Sequence, residues 1–394
     1  MIQSSLFKKI IPGFSEFEDP VLRNFGVAIA IAHLLTIIFY LQFSVVEIFR
    51  SPFPICWPFL PNCYAGPAWS QNAIYAYLIF YGAAALLSAV AFLSGRIRVG
   101  WILSFATLLL KLILFFKDYR MMGNYHYMIH IIHLLFLFYP LKRKVIPMML
   151  VAIYVSAGAL KFNFEWLSGA ALLTEPMAKG GLLVAMCTYV VILEMIVSFG
   201  LLSKNRNILR LSLAQFFIFH VFSYGQVGFF YPCVMLSLLS IFYLPILLRR
   251  DGFRFSREKL AVQLAPLFLF AAAQLAPLAF VGDSSLTGQG RIFSLNMFDA
   301  RSECLIEEIA RFDLVSIETN PKFSYVRIHC DPVTVIGLER AKCAALKKVP
   351  GFRDLDVYVN SKKQSGEARP ILRIENFCDK NPEFNIWKHN DFIL

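Results

Sequence analysis

The sequence predicts a polytopic all-α membrane domain of about nine transmembrane helices, followed by a small α+β extracytoplasmic domain. Three observations predict it. Hydrophobic residues make up 58% of the 394 positions, with 39 phenylalanines, and mean hydropathy is positive. Apolar runs recur at the length a bilayer requires. Composition then changes near residue 282. Globular chains are about 45–50% apolar, and a membrane helix needs about 20 mostly apolar residues. The candidate runs are 24–49, 73–95, 99–116, 125–140, 145–161, 181–203, 208–226, 229–248 and 259–281. The fourth is short and is open to a re-entrant reading. The first 23 residues are mixed in polarity, so no cleavable leader is expected.

Charge sets the expected orientation. The net charge is +12, yet residues 282–394 are balanced, so the excess lies within 1–281. It concentrates in alternate connections: Lys8, Lys9 and Arg23; Arg96 and Arg98; Lys142, Arg143 and Lys144; Lys204, Arg206 and Arg210; Arg249, Arg250, Arg254, Arg257 and Lys259. The other connections hold only Arg50, Lys117, Arg120 and Lys179. The positive-inside rule then makes the N-terminus cytoplasmic. An odd number of passes puts the tail in the periplasm or a lumen. The basic balance follows topology and gives no reason to expect nucleic acid.

Cysteines agree with that orientation. Cys56, Cys63, Cys304, Cys330, Cys343 and Cys378 fall on the expected outer side, and Cys187 and Cys233 lie within spans. An oxidising compartment permits disulfide bonds. Cys56 and Cys63 have two options, with each other or with the tail, and buried free thiols in the tail are the alternative. In the tail, Leu314–Glu318, Tyr325–Cys330, Asp356–Asn360 and Ile371–Asn376 read as strands and Gly337–Lys348 as a helix. The domains expected are 1–281 in the membrane and 282–394 outside it.

Polar residues inside apolar runs are costly and mark function. Lys161 ends the fifth run, at a level where an amine is partly stripped of water. A neutral amine there can accept a proton, which an exposed lysine almost never does. The alternative is a lysine that snorkels to the interface beside Trp166. His126, His130 and His133 follow i, i+4, i+7 spacing on one helical face. No Asp, Glu or Cys is spaced to complete a metal site there, so no metal is expected. His126 is read as a proton or hydrogen-bonding group, and His130 and His133 as structural hydrogen-bonders. His126 and Lys161 are expected at the same leaflet. Glu194 and Lys111 lie mid-span, where each needs a partner, and an ion pair between them is one reading. Around His220, the glycines Gly225 and Gly228 suit either a tight turn or the wall of a flat ligand.

Four stretches together resemble the vitamin K-dependent γ-glutamyl carboxylase family, whose membrane part is called the horizontally transferred transmembrane (HTTM) domain. They are Asn124-Tyr125-His126; Ala157-Gly-Ala-Leu-Lys161-Phe-Asn163-Phe-Glu-Trp166-Leu-Ser-Gly169; His220 with Val227-Gly-Phe-Phe-Tyr231 and Met235-Leu236; and Phe293-Ser-Leu-Asn-Met297. A further similarity is the strand-like Asp354–Asn360. The family pattern has Asn where Tyr125 stands, Asp where Asn163 stands, and Trp-Asp where Leu295-Asn296 stand.

The resemblance implies a carboxylase, a lyase that consumes vitamin K hydroquinone or menaquinol with O2 and CO2 as co-substrates. The product is γ-carboxyglutamate in an extracytoplasmic peptide or protein. It implies Lys161 as the base toward the quinol, His126 as its catalytic partner, and Asn124, Tyr125, Trp166, His220 and Met235 as quinol-binding residues. The competing expectation is a quinone- or lipid-binding membrane protein with this fold and no such chemistry. A transporter fits less well, because no inverted repeat or paired broken helix is evident.

Overall fold

A backbone in hydrocarbon must satisfy its own hydrogen bonds, and helices do this locally. The computed structural model describes residues 11–45, 57, 71–176, 178–250, 253, 259–296, 300–318, 322–363 and 366–394. Among the described residues nine long helices build its first part: α1 (Pro20–Val45), α2 (Gln71–Leu93), α3 (Ile97–Lys117), α4 (Asn124–Phe138), α5 (Lys142–Lys161), α6 (Gly180–Met195), α7 (Arg206–Val227), α8 (Phe230–Leu247) and α9 (Leu260–Leu275). Turns of 3-10 helix extend α6 through Val197–Leu202 and α9 through Ala276–Ala279. Eight of the helical stretches are long and apolar enough to cross a membrane, and α4 is not among them. Their outward faces carry large apolar residues such as Phe80 and Leu269, as a lipid surface demands.

The 15-residue α4 nonetheless joins the two ends of the bundle. At its start, Asn124 Oδ1 accepts a hydrogen bond from the backbone N–H of Asn296, beside the C-terminal domain, at 2.6 Å. Just past its end, the N–H of Leu141 donates to Glu16 Oε1 at 2.7 Å, beside the start of α1. Only Leu134 and Phe138 of α4 are exposed, so its wall is protein. A short helix surrounded by other helices need not match the bilayer thickness. At the same end Lys142, expected to be one of the solvated basic residues, is buried and donates to the carbonyls of Pro12, Gly13 and Tyr139.

The tail is a small antiparallel domain. Its strands are β1 (Arg301–Phe312), β2 (Ser316–Glu318), β3 (Lys322–Val326), β4 (Phe352–Lys362) and β5 (Arg369–Ile374). They run in the order β2-β1-β4-β5, with β3 also pairing β1. Helix α10 (Pro332–Leu346) starts with Asp331 as its N-cap, accepting from Val333 N. The expected strand Tyr325–Cys330 is corrected: β3 ends at Val326, and Arg327–Cys330 forms a 3-10 turn. The buried side chain of Arg327 and the bonded sulfur of Cys330 hold that turn. The longest strand, β1, was not expected at all.

Disulfides join Cys304 to Cys330 and Cys343 to Cys378, so the tail cysteines are not free thiols and none is left for Cys56 or Cys63. Those two residues lie outside the described residues. Cys187 and Cys233 are free. The bridges close separations of 26 and 35 residues. Replacing either pair by serine is expected to destabilise the tail by about 3–4 kcal/mol, by releasing loop entropy in the unfolded chain. A fall in the denaturant midpoint measures it.

Glu339, buried on α10, gives the tail a pH dependence. Burial pushes its carboxyl up to about 7 from the ordinary 4.5, against the opposing charge of Lys322. The folded state thus favours the protonated acid. Its contribution is fully present below the unfolded value and is lost as pH rises through about 7. Glu339→Gln is expected to remove a loss of roughly 3 kcal/mol between pH 4 and pH 8.5, taking about 1.36 kcal/mol per pKa unit. Thermal unfolding of both proteins at the two pH values checks this.

Candidate functional site

Helix α5 delivers Lys161 to the end of the bundle that carries the sheet domain. Its ammonium donates to both carboxylate oxygens of Glu194 on α6, at 2.6 and 2.8 Å, and to the carbonyl of Ala157 at 3.4 Å. Glu194 is fully buried and the Lys161 side chain is 13% exposed. The expected Lys111–Glu194 pair is therefore corrected: Glu194 belongs to Lys161. The helices approach closely because residue 158 is glycine. A Cβ there would meet Met195 Cγ at 2.6 Å and Glu194 Cβ at 3.1 Å.

The chain after Lys161 folds over the pair. Asn163 caps the one-turn helix Phe164–Leu167, its side chain accepting from Trp166 N at 3.0 Å. Asp and Asn cap equally well, so asparagine at 163 keeps the local structure. The ring of Trp166 lies 5.3 Å from Lys161 Nζ, and its indole N–H donates to the carbonyl of Cys187. Glu165 pairs with Arg327 of the tail at 3.2 Å, with both side chains largely buried. The sheet domain thus grips the Lys161 loop directly.

His220 on α7 meets Tyr154 Oη at 2.9 Å, and its ring centroid lies 5.5 Å from that of Tyr231. Its Nδ1 is buried with no partner. Gly228, at φ 74°, turns α7 into α8, so it serves as a turn. Met235 is fully buried on α8.

His126 sits apart from this pair. Its ring is boxed by Phe39 at 4.9 Å, Tyr125 at 4.7 Å and Phe230 at 5.1 Å. Both ring nitrogens are buried without a hydrogen-bond partner, which a folded chain rarely tolerates. Among the described residues no hydrogen bond or ring contact joins His126 to Lys161. The first turn of α8 touches both neighbourhoods, Phe230 on the His126 side and Tyr231 on the His220 side. Above His126, Tyr127 Oη donates to the carbonyl of Phe293 at 2.6 Å, and Asn124 holds Asn296. The first and fourth motifs are thereby in contact, except for Met297, which lies outside the described residues.

One polar cluster escaped the sequence reading. Tyr81 Oη bonds His33 Nδ1 at 2.6 Å, His33 Nε2 bonds His133 Nδ1 at 2.8 Å, and His133 Nε2 bonds Ser104 Oγ at 2.7 Å. Lys111 is fully buried and donates to Thr36 Oγ1 at 3.2 Å. His133 is the structural hydrogen-bonder expected; His130 bonds the backbone of His126, and only its Nε2 lacks a partner. The overlooked signal was His33 itself, an ionisable residue near the middle of the first apolar run. Among the described residues no group of three or more His, Cys, Asp or Glu is arranged to hold a metal.

Comparison with family models, curated proteins and solved structures yields no match.

Proposed function

We propose that the chain is an integral-membrane, quinol-dependent enzyme of the γ-glutamyl carboxylase type. The observation that carries this reading is the buried Lys161–Glu194 pair, at the bundle end where the sheet domain docks. In this proposal the N-terminus is cytoplasmic and the sheet domain lies in the periplasm or a lumen, where its disulfides are stable. The lipid-soluble partner is vitamin K hydroquinone or menaquinol, and the partner in water is a glutamate-bearing peptide.

The residues fit such a ring. His126 offers two unsatisfied nitrogens within an aromatic box, as a flat ring bearing oxygens would need. A proton shift from Nζ to the carboxylate along the 2.6 Å bond leaves a neutral amine without changing the net charge of the pair. Lys161 is then competent to take a proton from an acidic hydroxyl, and Glu194 holds the amine in place. Trp166 packs beside the amine, and the Glu165–Arg327 contact ties its loop to the sheet domain. The quinol, when bound, supplies the reducing power with which O2 generates a base strong enough for a glutamate γ-proton, and the carbanion takes up CO2.

The second reading is a quinone- or lipid-binding protein without this chemistry. It is favoured by the separation of His126 and Lys161 into two neighbourhoods. Purified protein in nanodiscs, given reduced vitamin K or menaquinol, bicarbonate, oxygen and a glutamate peptide, distinguishes the two. Quinone epoxide and a carboxylated peptide by mass spectrometry support the enzyme. Quinone binding without oxygen consumption supports the binder.

A further inference from the structure

The connector from α9 to β1 first turns back along the bundle. Helix α9 and its 3-10 turn form one apolar stretch, Leu260–Ala279, long enough to cross a membrane. Beyond it, Gly290 packs on Pro277 and Phe280 so closely that a Cβ would meet Pro277 Cα at 2.8 Å. Farther along, the N–H of Leu295 donates to Gln274 Oε1 at 2.9 Å. From Pro277 to Gln274 is about 4.5 Å back along the helix axis, at 1.5 Å per residue. Residues 290–295 thus descend beside the last turns of that stretch. Leu275 and Leu278 of those turns are large, apolar and exposed, so this level is that of lipid.

The end of the chain follows the connector down. Asn390 donates to Gln289 Oε1 through its backbone N–H at 2.9 Å and through Nδ2 at 3.1 Å, and Gln289 Nε2 donates to His389 Nδ1 at 3.0 Å. Gln289 is fully buried, so the clamp is firm. Asn385 Oδ1 accepts from the N–H groups of Trp387 and Lys388 at 2.8 and 3.1 Å, which turns the arm. The Trp387 ring packs on Phe293, with centroids 4.8 Å apart, yet Trp387 is 73% exposed. An indole suits the headgroup boundary of a bilayer, where its ring is covered and its N–H stays wet. Exposed tyrosines already mark that boundary at this end of the bundle, Tyr75 near the start of α2 and Tyr224 near the end of α7. The stretch Leu260–Ala279 carries neither Tyr nor Trp.

We infer that Trp387, with the exposed Lys388 beside it, anchors the C-terminal arm in the phospholipid headgroup layer on the tail side of the membrane. It supplies, next to α9, the interfacial aromatic that α9 lacks. The partner is the lipid surface itself. The ring lies against the upper acyl chains at the depth of Leu275 and Leu278, its N–H donates to ester or phosphate oxygens, and Lys388 offers a cation to phosphate. The arm is clamped to Gln289, and its strand-like end pairs with β5 through Leu372 and Ile393. One side chain therefore ties the edge of the sheet to the bilayer. The anchor is independent of any chemistry at Lys161.

Fluorine-19 NMR of the full chain labelled with 5-fluorotryptophan, in phosphatidylcholine nanodiscs, tests it. The chain has five tryptophans, and the Trp387 signal is the one that vanishes in Trp387→Phe. That side chain is exposed, and matching circular dichroism confirms that the variant is folded. Lipids bearing a nitroxide on the headgroup are expected to broaden the Trp387 signal about threefold or more, as a ring at headgroup depth requires. A Trp387 signal that the lipid nitroxide leaves unchanged overturns the anchor. A soluble gadolinium chelate then tells where the ring is instead: broadening places it in water, and no broadening places it against protein.

Discussion

Replacing either member of the Lys161–Glu194 pair is expected to lower quinol-dependent oxygen consumption at least 100-fold, the scale of a lost general base. Lys161→Met and Glu194→Leu each leave one charge in a dry site, and each is expected to destabilise the bundle by about 3–5 kcal/mol. The double variant restores a neutral, apolar contact, so its stability is expected to return close to that of the parent while its activity stays lost. This divergence separates chemistry from folding. Thermal unfolding in detergent measures the first quantity and oxygen uptake with reduced quinone the second. An active double variant would end the proposal that this pair handles the proton.

Asp331→Ala carries the next largest expected effect. The carboxylate accepts from Arg291 at 2.9 Å, with both side chains buried, and it also caps α10 through Val333 N at 2.9 Å. Burial raises this carboxyl from its ordinary value, and the neighbouring Arg291 pulls it back. Removing the acid deprives Arg291 of this partner in a dry site, at about 3–5 kcal/mol, and removes a helix cap worth about 1 kcal/mol. Arg291 precedes the segment that contacts Asn124 and Tyr127, so the sheet domain should loosen from the bundle. Limited proteolysis should then cut near residues 282–300 at least ten times faster, while the tail disulfides remain intact.

The helices were legible because a long apolar run in a 394-residue chain has few other fates. Boundaries differ from expectation by only a few residues: the first expected span, 24–49, begins at Pro20, and the sixth is completed by a 3-10 turn. The tail was less legible because its interior is partly charged. β1 buries Glu308, which pairs with Lys322 and Lys342, so its apolar alternation is broken and the strand did not stand out. The Lys161–Glu194 bond spans 33 positions and depends on how closely α5 and α6 pack, a distance set by Gly158. Ionisable residues near one membrane face could be picked out individually, but their pairings could not. Tyr81, Ser104 and Thr36 went unnoticed because each is one hydroxyl within an apolar run, and only the bundle assembles them.

The brevity of α4 has a geometric consequence. Fifteen residues at 1.5 Å each rise about 22 Å, roughly 8 Å short of a 30 Å hydrocarbon layer. Since both of its ends are tied, one to Asn296 and the other to Glu16, the protein's own connecting segments make up that difference.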